Sequence, residues 1–82
     1  MNKAKLLEKI LAGSKNISFN DFVTLVEAFG FELPRTRGSH HIFEHPEVPE
    51  ILNLQNSKGQ AKPYQIRQFL QLVEQYDLRL ED

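Results

Sequence analysis

The sequence predicts an α+β fold: a three-stranded antiparallel sheet covered on one face by helices, in the order helix, helix, strand, strand, strand, helix. Three observations predict it. Apolar residues recur at helical spacing up to Phe29 and again from Ile66 to Val73, whereas between Phe31 and Gln55 the period shortens to two. Turn-forming residues separate the alternating pieces, which makes an antiparallel meander.

Leu6, Leu7, Ile10 and Leu11 give a short amphipathic helix over residues 3–12, with Gly13 as a left-handed stop. Alone it is too short to be stable. Ser18 followed by Asp21 is a weaker form of the capping box, opening a second helix whose packed side carries Phe19, Phe22, Val23, Val26 and Phe29 and which Gly30 ends. Phe31 and Leu33 alternate with Glu32 and Pro34 in a first strand, the proline implying an edge position or an early exit. Arg37-Gly38-Ser39 makes a turn, and a second strand runs from about His40 to Glu44. Pro46 and Pro49 mark a loop before a third strand, Glu50 to Gln55. Residues 56–60 are turn-rich. Pro63 suits the first position of the last helix, where its missing N–H has no intrahelical partner to lose. Ile66, Phe69, Leu70 and Val73 form the buried stripe of that helix, with Tyr76 a candidate fifth member, and an acidic tail over 77–82 is expected to be loosely held.

The 82 residues, 40% hydrophobic and 26% charged, are expected to form one domain, spanning 1–82. At this size folding buries roughly 60% of the unfolded chain's surface, so the core is small and a partner adds usefully to it. The chain has no cysteine, which excludes a disulfide framework, a thiolate nucleophile and a sulfur-ligated zinc site. No apolar stretch approaches the roughly 20 residues that span a bilayer, and no secretory leader is recognisable, so a soluble, cytoplasmic protein without membrane association is expected. The formal net charge of −1 argues against a strong nonspecific polyanion binder. Basic residues nonetheless cluster at Arg35, Arg37, Lys58, Lys62 and Arg67, while Glu74, Asp77, Glu81 and Asp82 crowd the end.

All three histidines, His40, His41 and His45, fall within six residues of one another, beside the Gly38-Ser39 turn. Histidine is the side chain best suited to move protons near neutral pH. Alternation puts His41, Phe43 and His45 on one face and His40 and Ile42 on the other. Each face then carries an apolar residue, so the pattern does not decide which histidine meets solvent. A metal site from His41 and His45 is disfavoured, because residues four apart on a strand lie about 13 Å apart. Ser39 as nucleophile lacks an oriented acid and an oxyanion glycine run, and reads better as a turn residue or phosphate contact. RNA cleavage is the more economical chemistry, since the ribose 2′-OH supplies the nucleophile. His40 or His41 would act as general base, Arg35, Arg37 or Lys62 would hold phosphate, and Tyr64 would stack a base or cap the core. For Lys58, Lys62 and Arg67, solvated surface charge is an equally good reading.

Gly38-Ser39-His40, Ile42-Phe43, His45-Pro46, Leu52-Asn53-Leu54-Gln55 and the run from Lys62-Pro63-Tyr64-Gln65-Ile66 through Arg67-Gln68-Phe69-Leu70 together resemble the HicA (YcfA-like) family of toxins from bacterial toxin–antitoxin modules. The resemblance covers most of the chain from about Ser18, leaving the first helix as an addition. It implies a fold similar to the double-stranded-RNA-binding domain and a messenger-RNA-cleaving ribonuclease, with His40 as the catalytic histidine; His41 and Ser39 stay as possible catalytic or supporting residues, and the residue pattern itself offers Arg35, Arg37, Lys58, Lys62 and Tyr64 as RNA contacts. It also implies a partner, an antitoxin of the HicB kind. The expected cleavage is a metal-independent transesterification that uses no cofactor. Two other readings remain at this stage: a module of the same fold that binds RNA or a partner without turnover, and a structural interaction domain whose histidines contact protein.

Overall fold

Phe69 sits at the centre of the core, with its ring edge-on to Phe22 at 5.5 Å, Phe29 at 5.4 Å and Phe31 at 6.0 Å between centroids. These four rings come from both halves of the chain and fix the helices over one face of the sheet. The computed structural model describes residues 2–81, with Pro34 as backbone only. Its elements are α1 (Lys3–Leu11), α2 (Phe19–Ala28), β1 (Glu32–Arg37), β2 (His40–His45), β3 (Val48–Gln55) and α3 (Pro63–Gln75). From α2 to α3 the α-β-β-β-α order is that of the double-stranded-RNA-binding fold, as the sequence led one to expect. No helix among the described residues is long and apolar enough to cross a membrane.

Each helix starts where its local chemistry directs. Asn2 Oδ1 accepts the Lys5 N–H, Ser18 Oγ accepts the Asp21 N–H at 3.1 Å, and α3 opens on Pro63. Leu6 and Ile10 bury one side of α1 against the core, while Leu11, read in sequence as part of that stripe, is 65% exposed. Leu25 and Leu72 join the core although the sequence stripes omitted them, and Val23, Leu70 and Val73 pack at its margin.

β2 is the centre of a β1-β2-β3 antiparallel meander. Its register pairs His40 with Arg37 and Gln55, His41 with Thr36 and Leu54, and Ile42 with Arg35 and Asn53. Phe43, Leu52 and Leu54 are fully buried, so His41, Phe43 and His45 face the helices and His40 and Ile42 face outward. Two strands are longer than the sequence suggested. β1 continues past Pro34 to Arg37, with a register irregularity between Glu32 and Arg35, because an edge strand tolerates the missing N–H. β3 begins at Val48 rather than Glu50, carries Pro49 on the other edge, and leaves only Pro46 and Glu47 between the paired ends His45 and Val48.

The acidic tail is not loose over its described part. Asp77 adopts φ 51°, the Leu78 N–H bonds the Val73 carbonyl at 2.9 Å, and the Glu81 N–H bonds the Ala28 carbonyl at 2.7 Å. Leu78 is buried and Leu80 packs beside it, so apolar burial outweighs the charge that suggested a free end; Asp82 lies outside the described residues. The end of α3 is tied to β3 by the Tyr76 hydroxyl, which donates to Glu50 Oε1 at 2.5 Å. That bond, then burial and the negative charge of Glu50, raises the phenol above its ordinary pKa.

Two predictions follow from these contacts. At Gly30 (φ 96°) a Cβ would stand 2.8 Å from His45 Nε2 and 2.9 Å from Glu81 Oε2, whereas at Gly13 (φ 90°) it meets nothing within 4 Å. Gly13→Ala is expected to cost about 1–2 kcal/mol of backbone strain, and Gly30→Ala about 1–3 kcal/mol more from overpacking, read as urea midpoints. The Tyr76 phenol, being raised, favours the folded state below its ordinary titration range, and this contribution fades as pH climbs through the raised value. Glu50→Gln should bring phenolate formation, followed by near-ultraviolet absorbance, down toward the ordinary range; an unchanged titration would show that the bond does not form.

Candidate functional site

The three histidines have three different environments. His45 is buried at 8% exposure; its Nε2–H donates to the Phe29 carbonyl at 3.0 Å and its Nδ1 accepts the Glu47 N–H at 3.0 Å. Both ring nitrogens are thus spent on tying β2 to the end of α2 and closing the β2–β3 hairpin. His41 is half-buried, with its ring 4.8 Å from that of Phe19 and its Nδ1–H on the Ser39 carbonyl at 3.2 Å. His40 alone is exposed, on the open face of the sheet, with Nδ1 3.3 Å from Asn53 Oδ1.

Around His40 the open face carries polar groups on all three strands. Arg37, His40 and Gln55 form one cross-strand row, and Arg35, Ile42 and Asn53 the next. Gln55 links this face to the start of α3: its Oε1 accepts from Lys62 Nζ at 2.7 Å and its Nε2 donates to Ser39 Oγ at 3.4 Å. Lys62 Nζ also lies 5.9 Å from the centroid of the Tyr64 ring, which is 54% exposed. Buried Gln65 anchors the arrangement, since its Oε1 accepts the Gln55 N–H at 2.9 Å and its Nε2 donates to the Tyr64 hydroxyl at 3.3 Å. The result is an imidazole at one end of an open sheet with two guanidinium groups, an ammonium and an aromatic ring nearby. Such a set can exchange a proton and hold an anionic, base-bearing ligand.

Of the residues singled out in sequence, Arg35, Arg37, Ser39, His40, Lys62 and Tyr64 are brought to this end of the fold. Ser39 serves the turn: its carbonyl accepts from Asn56 N–H and His41, and the histidine bond goes to this carbonyl rather than to Oγ. Lys58 is exposed at φ 54° in the β3–α3 loop, which Asn56 ties to Ser39. Arg67 is elsewhere, in a groove with Gly13, Ser14 and Lys15 at the α1–α2 connection. Among the described residues no three histidine, aspartate or glutamate side chains gather as a metal site would require. Sequence reasoning missed Asn53, Gln55 and Gln65 as members of the site. Gln65 was detectable, four residues before Phe69 on the buried side of α3; the other two needed the strand register.

The family model described as "HicA toxin of bacterial toxin-antitoxin" matches residues 19–74, from the first residue of α2 to the penultimate residue of α3. The chain belongs to the HicA toxin family. HicA toxins are RNA-cleaving members of toxin–antitoxin modules, so membership brings an RNA substrate and an antitoxin partner in general terms. No curated protein and no solved structure matched the chain. α1 lies outside the HicA match, yet buries Leu6 and Ile10 in the same core.

The environments of the histidines predict a graded response to alanine substitution, measured by urea denaturation. His45→Ala, which strands the Phe29 carbonyl and the Glu47 N–H, should cost about 2–4 kcal/mol. His41→Ala should cost about 1 kcal/mol through the lost ring contact. His40→Ala should change stability by less than about 0.5 kcal/mol.

Proposed function

We propose that this HicA toxin cleaves messenger RNA with His40 as general base. The observation that carries the reading is that His40 alone of the three histidines keeps an exposed ring, while His41 and His45 are engaged in packing and backbone hydrogen bonds. Proton transfer requires a nitrogen that substrate can reach, and His40 meets that condition.

In the proposed step His40 takes the proton of a ribose 2′-OH, the 2′-oxygen attacks the adjacent phosphorus, and the bond to the 5′-oxygen breaks. The products are a 2′,3′-cyclic phosphate and a 5′-hydroxyl whose proton comes from solvent or the imidazolium. Arg35 and Arg37, on the same face, and Lys62, held by Gln55, neutralise the charge that grows on the phosphoryl oxygens. Tyr64 offers a ring for a base, and Lys58 adds positive charge in the neighbouring loop. His41 and Ser39 support the turn that carries His40. The step needs only RNA, side chains and solvent, and cleavage is proposed to be metal-independent and to use no cofactor.

The same face suits an antitoxin of the HicB kind. Ile51 is 50% exposed and Ile42, in the Arg35 row, is half-buried, giving an apolar centre between Arg37 at one end of the face and Glu44 at the other. A partner seated there would cover His40 and silence the toxin.

The test is induced expression and in vitro cleavage by wild type and His40→Ala. The variant should lose about 10²–10⁴-fold in cleavage rate and no longer arrest growth, with its fold intact by circular dichroism. Wild-type cleavage should survive chelation. Loss in His41→Ala but not His40→Ala would move the base by one residue, and RNA binding without any wild-type cleavage would establish a non-catalytic module instead.

A further inference from the structure

Gln55 is the register partner of His40, yet the ring bonds Asn53, which stands two residues back along β3 on the same open face. Diagonal neighbours of this kind lie within reach across an antiparallel pair. Gln55 is otherwise engaged, between Lys62 and Ser39. The side-chain carbonyl of Asn53, 3.3 Å from His40 Nδ1, therefore supplies the ring's one hydrogen-bond partner among the described residues.

We infer that Asn53 is a positioning residue for His40, holding the imidazole as its Nδ1–H tautomer so that the Nε2 lone pair is presented to substrate. An amide oxygen carries no proton and only accepts, so the contact needs hydrogen on Nδ1. In neutral imidazole the other nitrogen is then bare, and that bare nitrogen is what a general base uses. The same bond fixes the ring's rotation about Cβ–Cγ, which an exposed histidine otherwise leaves free. This inference rests on the proposed role of His40 and adds the group that makes the ring competent.

The experiment combines nitrogen NMR of the His40 ring with cleavage kinetics, in wild type, Asn53→Ala and Asn53→Asp. Wild type should show protonated Nδ1 and bare Nε2 in its neutral form. Asn53→Ala should shift the ring toward a mixture of tautomers and lower kcat about ten-fold or more with KM nearly unchanged, as expected when orientation rather than binding is lost. Asn53→Asp keeps an acceptor and should keep both the Nδ1–H tautomer and most of kcat. A wild-type ring protonated on Nε2, or ring signals and kcat that Asn53→Ala leaves unchanged, overturns the inference whatever the kinetics of His40→Ala. A rise in KM alone in Asn53→Ala overturns it in favour of a direct RNA contact. The NMR readout needs no turnover: a fixed tautomer in a protein that cleaves no RNA overturns the nuclease role and with it the positioning role, whereas a free tautomer in an active enzyme overturns only the latter.

Discussion

Phe43 has no solvent exposure, and its cross-strand partner Leu52 has none either. Side chains alternate along a strand, so burying this pair under the helices decides which way every other residue of β2 points. A slip of one residue would carry His40 toward the core and Phe43 into water, at about 2–3 kcal/mol for the phenylalanine alone. The position of His40 on the open face is therefore a packing result. It follows from a phenylalanine three residues away and from the rings of Phe22, Phe29, Phe31 and Phe69 in the core.

A second constraint acts at the end of β3. Gln65, buried on α3, reaches the Gln55 N–H, a backbone donor that the third strand of a three-stranded sheet has no further strand to satisfy. This bond fixes the start of α3 against the sheet edge and sets Lys62 beside the Gln55 side chain. Lys62, Tyr64 and the His40 row are thereby held by one helix terminus and one strand end. A loop alone would hold these groups less well, because functional geometry is kept more closely on regular elements than on loops.

Much of this fold is legible in sequence because its periods are clean: three helical stripes, a stretch of period two, and Gly or Pro at most boundaries. The strand phase was not legible, since Ile42 and Phe43 offer each face one apolar residue and only tertiary contact with Phe69 and its neighbours breaks the tie. The prolines misled modestly. Pro34 reads as an edge position or an early exit and holds the edge position, whereas Pro49, which reads as part of a loop, lies within the edge strand β3. In the tail, Glu81 and Asp77 drew attention away from Leu78 and Leu80, whose burial settles that segment against α2 and α3. Asn53 stood in a motif shared with the family but gave no sign of a role, because an amide in an amphipathic strand looks like any solvent-facing residue until the register puts it beside an imidazole.

The charge layout of the sheet gives the proposed chemistry a direction. Arg35 and Arg37 lie on the open face at the His40 end, while the paired Glu32 and Glu44 occupy its far end. A phosphate backbone is attracted to the first and repelled by the second, so a small domain of net charge −1 can still orient RNA over one end of its sheet. Weak overall attraction also suits turnover, because binding that is equally strong in the ground and transition states does not raise kcat. For a partner seated as proposed, the same layout offers a basis for competition: it would meet basic, apolar and acidic zones in sequence across one face, a pattern that RNA, uniformly anionic, does not complement. On this reading a single open face serves both substrate and antitoxin, and the acidic end is what lets the protein distinguish them.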